Sequence, residues 1–257
     1  TGAGSPPAFE AAAAGGDLAS YIIDGDFTQW PEGTGARTIV AGGYGPALFE
    51  YAFVYGGSVT VERSTDVPTV DASSHQSAYS MLHKCTGTDA SIAASDQLRV
   101  QYFVTGSDFA HLHEQQVTLS FWAKTASANS GHDYNVALYN SAQDRSYTQT
   151  FSPTSTWTKF TFTITLDTSG TWLFTEADVG LGIGFILMAG TTYDDGTEGS
   201  WTGSFETWAS SGTAISNFMD DTSNEFYVSQ ISLVLGSSAP TFKSPSIATV
   251  KDQVEYY

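Results

Sequence analysis

Trp201 and Trp208 flank a polar run preceded by Tyr193, Asp194, Asp195 and Glu198. Pyranose rings present apolar C–H faces that lie flat on exposed aromatic rings. Their hydroxyls exchange hydrogen bonds with carboxylates and amides. This group is therefore the leading carbohydrate-binding candidate. The competing reading has both indoles capping a core beneath long loops. Trp30, Tyr44 and Tyr55 form a second candidate cluster with the same chemistry.

Catalytic signatures do not accompany these residues. The chain has no Gly-x-Ser-x-Gly elbow, no His-Glu-x-x-His, no P-loop and no Gly-x-Gly-x-x-Gly after a strand. Glu198 and Glu206 could pair as in a glycoside hydrolase, but 27 acidic residues make accidental pairs inevitable. The expectation is a protein that is not an enzyme. His111 and His113 stand two apart, a spacing that on a strand would suit a metal pair. They fall in a turn, and only His75, His83 and His132 offer further imidazoles. A single cysteine, Cys85, excludes an internal disulfide, and its strand-like setting reads as a buried, inert thiol.

The formal charge of −18, from 27 acidic and 9 basic residues, argues against nucleic acid and anionic lipid as partners. No run reaches the roughly 18 apolar residues that a spanning helix needs, so no membrane insertion is expected.

The elements that must position these groups read as strands. In Gln116-Val-Thr-Leu-Ser-Phe-Trp-Ala-Lys124, apolar and polar residues alternate, with Val117, Leu119, Phe121 and Ala123 on one face. Trp122 falls on the other face, toward solvent or a neighbouring subunit, which makes it an interface candidate. Similar runs span 59–66, 78–86, 97–104, 134–140, 147–151, 158–166, 181–188 and 225–235. In 181–188, Gly182 and Gly184 share the face opposite Leu181, Ile183, Phe185 and Leu187, where another backbone or a ligand could come close. In 225–235 the apolar parity switches between Val228 and Ile231, which predicts a β-bulge near Ser229 and Gln230. The fold class expected is all-β, an antiparallel two-sheet β-sandwich of jelly-roll type. Residues 1–18 read as a Gly/Ala/Pro-rich linker or arm without a signal-peptide pattern. The sandwich is expected over 19–242, and a tail with a short helix over 243–257.

Several segments, in order, resemble the C-terminal carbohydrate-binding-module-like jelly-roll domain of tailed-phage fibre and tail proteins. They are Ile22-Ile23-Asp24-Gly25-Asp26-Phe27-Thr28-Gln29-Trp30, the stretch from Phe109 to Lys124, Trp157-Thr-Lys-Phe-Thr-Phe-Thr163, Phe226 to Gly236 followed by Ala239-Pro240-Thr241-Phe242, and the closing Asp252-Gln-Val-Glu-Tyr-Tyr257. The resemblance covers most of 21–257. After Trp30 the chain departs from the pattern, with Pro31-Glu32-Gly33 where an Arg-Gly pair is usual.

What the resemblance implies is a virion component that recognises a glycan on the host surface. It implies a homo-oligomer, a trimer by that likeness, joined to other virion proteins through the N-terminal arm. It also implies that Asp24 and Asp26 could contribute to a structural Ca²⁺ site near the first and last strands. Two alternatives stay open. One is a structural capsid- or tail-attached fibre component without a ligand of its own. The other is a bacterial carbohydrate-binding module accessory to a depolymerase.

Overall fold

The computed structural model describes residues 20–211 and 215–256. In chain order the elements are β1 (Arg37–Thr38), β2 (Phe49–Val54), β3 (Ser58–Ser64), α1 (Val70–Ser73), β4 (Ser80–Gly87), β5 (Gln97–Thr105), α2 (Gly106–Phe109), β6 (Gln116–Thr125), β7 (Tyr134–Tyr139), β8 (Ser146–Phe151), β9 (Thr158–Thr165), β10 (Val179–Ala189), β11 (Trp201–Thr202), β12 (Glu225–Leu235) and α3 (Ile247–Tyr256). They build two six-stranded antiparallel sheets, ordered β1-β3-β4-β12-β6-β9 and β11-β8-β7-β10-β5-β2. We call these the first and second sheets. This is the expected jelly-roll sandwich.

Period-two patterning decides which faces meet. Val117, Leu119, Phe121 and Ala123 of β6 are fully buried, as are Leu181, Ile183, Phe185 and Leu187 of β10 to within 1%. Phe121 joins the sheets directly. Its ring packs edge-on against Phe185 of β10 at 4.9 Å and Phe151 of β8 at 5.1 Å. Aromatic pairs in this geometry add about 0.5–1.5 kcal/mol to what burial alone contributes.

The expected bulge is present. The register of β12 against β6 shifts between Ser229 and Ser232, and Gln230 sits at φ +52°. The shift lets Phe226 and Val228 face the core together with Ile231 and Leu233. The amino-terminal segment is built against this bulge. Ile231 N–H donates to the Gly25 carbonyl (3.0 Å), and Tyr21 N–H donates to Leu233 O (2.8 Å). A Cβ on Gly25 would overlap the Ile231 carbonyl oxygen, so only glycine fits. Ile23 N–H reaches the other sheet, donating to the Tyr102 hydroxyl at 3.0 Å.

The expected terminal helix is α3, which buries Val250. The arm over 1–18 lies outside the described residues. Three strands were not expected: β1, β2 and β11. No helix among the described residues is long and apolar enough to cross a membrane.

Candidate functional site

The outward face of the second sheet carries two rows of polar and aromatic side chains. Register places Ala52, Arg99, Ile186, Asn135 and Thr150 in one row across it, and Glu50, Gln101, Gly184, Ala137 and Thr148 in the next. An antiparallel bridge from Glu50 to Tyr44 extends the second row to the sheet edge, where Tyr44 is 43% exposed.

Tyr139 organises the middle of this face. Its ring lies over β10, and a Cβ on Gly182 would overlap it. The close approach that the two glycines foretell is thus made by a side chain from β7. Having crossed β10, the Tyr139 hydroxyl donates to Gln101 Oε1 on β5 at 2.7 Å. Burial holds that hydroxyl's pKa above the ordinary tyrosine value.

The segment after β10 folds back over the same face. Trp208 and Ala209 N–H groups both donate to Tyr193 O at 2.9 Å, and Gly196 N–H donates to Ala209 O at 2.9 Å. Glu198 fastens the loop to β8. Its carboxylate accepts from Thr150 N–H (2.8 Å), Thr150 Oγ1 (2.9 Å), Ser210 Oγ (2.7 Å) and Gln149 Nε2. Beneath the loop, Ala137, Tyr139, Ile186, Tyr193, Trp208, Ala209 and Ile215 form a second apolar cluster, separate from the main core.

Arg99 stands at the border of this cluster. Its guanidinium lies 3.9 Å from the centre of the Trp208 ring, and the residue is only 6% exposed. Nε and Nη1 have no hydrogen-bond partner, and neither has Trp208 Nε1 or Gln97 Oε1. Burial lowers the Arg99 pKa, while Tyr139, Glu206, Tyr193 and Glu50 act in the opposite direction. Arginine stays charged even so. The face therefore combines an edge aromatic, a Tyr–Gln hydrogen bond and a desolvated cation stacked on an indole. Among the described residues, no group of three or more His, Cys, Asp or Glu side chains could hold a metal ion.

The candidates read from sequence do not all gather here. Trp208 is fully buried, which corrects its reading as a platform: the loop folds inward and Arg99 covers the indole. Trp201 lies elsewhere. It pairs with Tyr147 on β8, packs on Trp172 (5.7 Å) and donates from Nε1 to Thr165 O (2.9 Å). Tyr193 is buried with Trp208, Asp194 is half-buried and Asp195 is exposed. Glu198 is occupied in fastening the loop.

The second cluster is not assembled either. Trp30 is buried and donates to Phe27 O (2.8 Å), Tyr55 stacks on Phe53 (4.6 Å), and Tyr44 alone joins the face described above. Trp122 points away from the core as parity requires, but it is only 9% exposed. That leaves little surface for a subunit contact, a correction to its reading as an interface residue.

Asp24 and Asp26 are both buried. Asp24 holds its own turn together by accepting from Thr28 N–H, Thr28 Oγ1 and Gln29 N–H, each at 2.7 Å. Burial raises its pKa to about 6. Asp26 meets His75 Nε2 (3.1 Å) and Ser244 Oγ (2.8 Å), leaving Oδ1 without a partner. Both Asp24 oxygens are thus engaged within the turn, and Asp26 Oδ1 is the one oxygen of the pair left open. His113 is taken up by ring contacts with Phe109 and Phe174, and Cys85 is buried as expected.

Arg99, Gln101, Tyr139 and Glu50 were not singled out from sequence. Alternation over 97–104 does place Gln97, Arg99 and Gln101 on one face. The loop that roofs them is what the alternation does not show.

No protein-family model and no curated protein matches this chain. Solved structures of related shape include the enzymatically active domain of bacteriophage CBA120 tailspike protein 4, at 10% identity and TM-score 0.42 over 74% of this chain. The chain spans only 19% of that tailspike domain's length. A CBM4 structure shares 14% identity at TM-score 0.40, covering 75% of this chain and 97% of its own. A putative sugar binding protein from Bacteroides thetaiotaomicron shares 10% identity at TM-score 0.41, covering 85% and 100%. Likenesses this distant carry no functional argument, and the jelly-roll assignment rests on the two sheets of the chain itself.

Proposed function

We propose that this chain is a non-catalytic glycan-binding module that serves as a receptor-binding domain of a virion fibre. The observation that carries the glycan reading is the outward face of the second sheet. There Tyr44, 43% exposed, and the half-buried Glu50 place an aromatic ring and a carboxylate side by side at the sheet edge, backed by the buried Gln101, Tyr139, Arg99 and Trp208. The fibre reading is supported by the ordered phage-fibre motifs from Ile22 to Tyr257. A trimer is proposed on the same likeness. Single shallow sites bind weakly, and display in several copies multiplies their avidity by about 10²–10⁴. The same face would serve a bacterial module accessory to a depolymerase, and the gene sequence preceding Thr1 separates the two settings.

The test is an oligosaccharide array probed with the full chain, wild type against Tyr44→Ala. Retention of at least one glycan class, weakened roughly tenfold by loss of the edge ring, is expected. No retention of any class refutes the glycan reading. Light scattering that shows only monomer at micromolar concentration refutes the oligomer.

A further inference from the structure

The strands β1, β9, β11 and β2 form the sheet edges of the sandwich, and three of them offer little to a further strand. β1 and β11 are two residues long. β2 is covered by the segment before it. Gly42 N–H donates to Tyr51 O (2.8 Å), Tyr51 N–H to Gly43 O (2.9 Å) and Gly45 N–H to Phe49 O (3.0 Å). β9 differs. It runs for 8 residues without proline, in unbroken register with β6.

One bond fixes which way its backbone points. Leu166 N–H donates to Gln115 O (2.9 Å), so the even-numbered residues of β9 turn their amides and carbonyls to β6. The odd-numbered residues turn theirs outward. There the Thr165 carbonyl accepts from Trp201 Nε1 (2.9 Å). The backbone groups of Lys159, Thr161 and Thr163 meet no partner among the described residues, and all three residues are exposed. An open edge of this kind is a template for another strand.

Charge selects the occupant. A second copy also carries −18, so it is least repelled where carboxylates are absent. Residues 146–166, which span β8 and β9, hold no Asp or Glu and one lysine. Asp167, which follows, is paired with Arg145, and Glu198 beside β8 is taken up by Thr150 and Ser210. Phe160, Phe162 and Trp201 are half-buried along the same edge, so a closing copy covers apolar rings as it pairs amides. The free run is also self-complementary. Two antiparallel copies centred on Thr161 set Lys159 of each opposite Thr163 of the other, and leave Thr165 to Trp201.

We propose that β9 is the contact edge for a second copy of this chain, the two first sheets joining antiparallel about a twofold axis at Thr161. Such a seam closes on a pair, so it is separate from the threefold association proposed above. β9 packs against β8 and β11, on the side of the sandwich away from β2 and Tyr44, so the glycan face stays open in the pair.

The test is the mass of the full chain by sedimentation at micromolar concentration. Wild type is expected to contain an even number of copies. Thr161→Pro removes an outward N–H and no bond to β6. It is expected to halve the mass, with circular dichroism and Tm showing that the fold survives. Thr161→Asp sets two carboxylates face to face across the axis and is expected to halve it as well. Mixing Thr161→Asp with Thr161→Lys is expected to restore the wild-type mass, which a folding defect would not allow. A monomeric wild type, or one with an odd number of copies, overturns the inference. So does a mass that Thr161→Asp leaves unchanged. A trimer that does not pair would sink this seam alone and leave the threefold and glycan readings standing.

Discussion

Acid should destabilise this protein through one imidazole in its core. His83 of β4 is fully buried, with Nε2 2.9 Å from the Tyr51 hydroxyl and its ring between Tyr51 and Phe226. Burial lowers its pKa from 6.5 to about 3. The native state thus refuses a proton that the unfolded chain accepts below pH 6.5. His83 therefore contributes full stability above that pH, and the contribution is lost as pH falls toward 3. At 1.36 kcal/mol per pH unit, the loss is about 2 kcal/mol by pH 5 and about 4 kcal/mol by pH 3.

Asp24 works in the opposite direction. Its pKa is raised from 3.8 to about 6, so its buried carboxyl favours the fold below pH 3.8 and loses that advantage as pH climbs through 6. Going from pH 7 to 5 returns about 1.3 kcal/mol, and these two groups together would leave the wild type a net loss of only about 0.6 kcal/mol. The assay is urea unfolding of wild type and His83→Gln at pH 7 and pH 5. Because Asp24 titrates in both proteins, it cancels from the difference. The stability gap between wild type and variant is expected to shift by about 2 kcal/mol in the variant's favour at pH 5. A gap independent of pH would refute the reasoning.

Other perturbations follow from the packing. Phe121→Ala removes the ring that ties both sheets together and should cost about 3–5 kcal/mol in urea unfolding. Gly25→Ala should cost about 2 kcal/mol or more, because the new methyl meets the Ile231 carbonyl at the bulge. Gly236→Ala, at φ +101° with open space around it, should cost only about 1 kcal/mol, all from backbone conformation, and thermal melts can rank the two. Raising NaCl from about 0.02 M to 0.5 M should raise Tm by screening the net charge of −18, and an unchanged or lower Tm would argue against self-repulsion as a destabilising term.

Much of this architecture is legible in residue order, because strands encode which face is buried. The pattern of β6, β9 and β10 places their core residues directly. The parity switch in β12 even locates the bulge, since only one extra residue brings Phe226 and Ile231 to the same interior. β2 went unseen although Phe49, Tyr51 and Phe53 alternate cleanly. Glycines 42, 43, 45, 56 and 57 flank it closely and lend the region the look of a loop.

The site is harder to read for a physical reason. A loop has no period, so nothing in 190–211 says that Trp208 turns inward while Trp201 joins a different sheet edge. Composition identified the right segment for Tyr193 and Trp208, but it mistook a roof for a platform. Arg99 could be placed on an outward face by parity. Its burial arises from residues more than a hundred positions later, which no local pattern reports.

The stitching of residues 20–25 along the middle strand of one sheet, with a rung to Tyr102 on the other, also has a mechanical meaning. Tension applied through the amino end enters at the centre of the sandwich and not at a frayed margin. The two backbone hydrogen bonds to Leu233 and Ile231 and the rung to Tyr102 would then share that load.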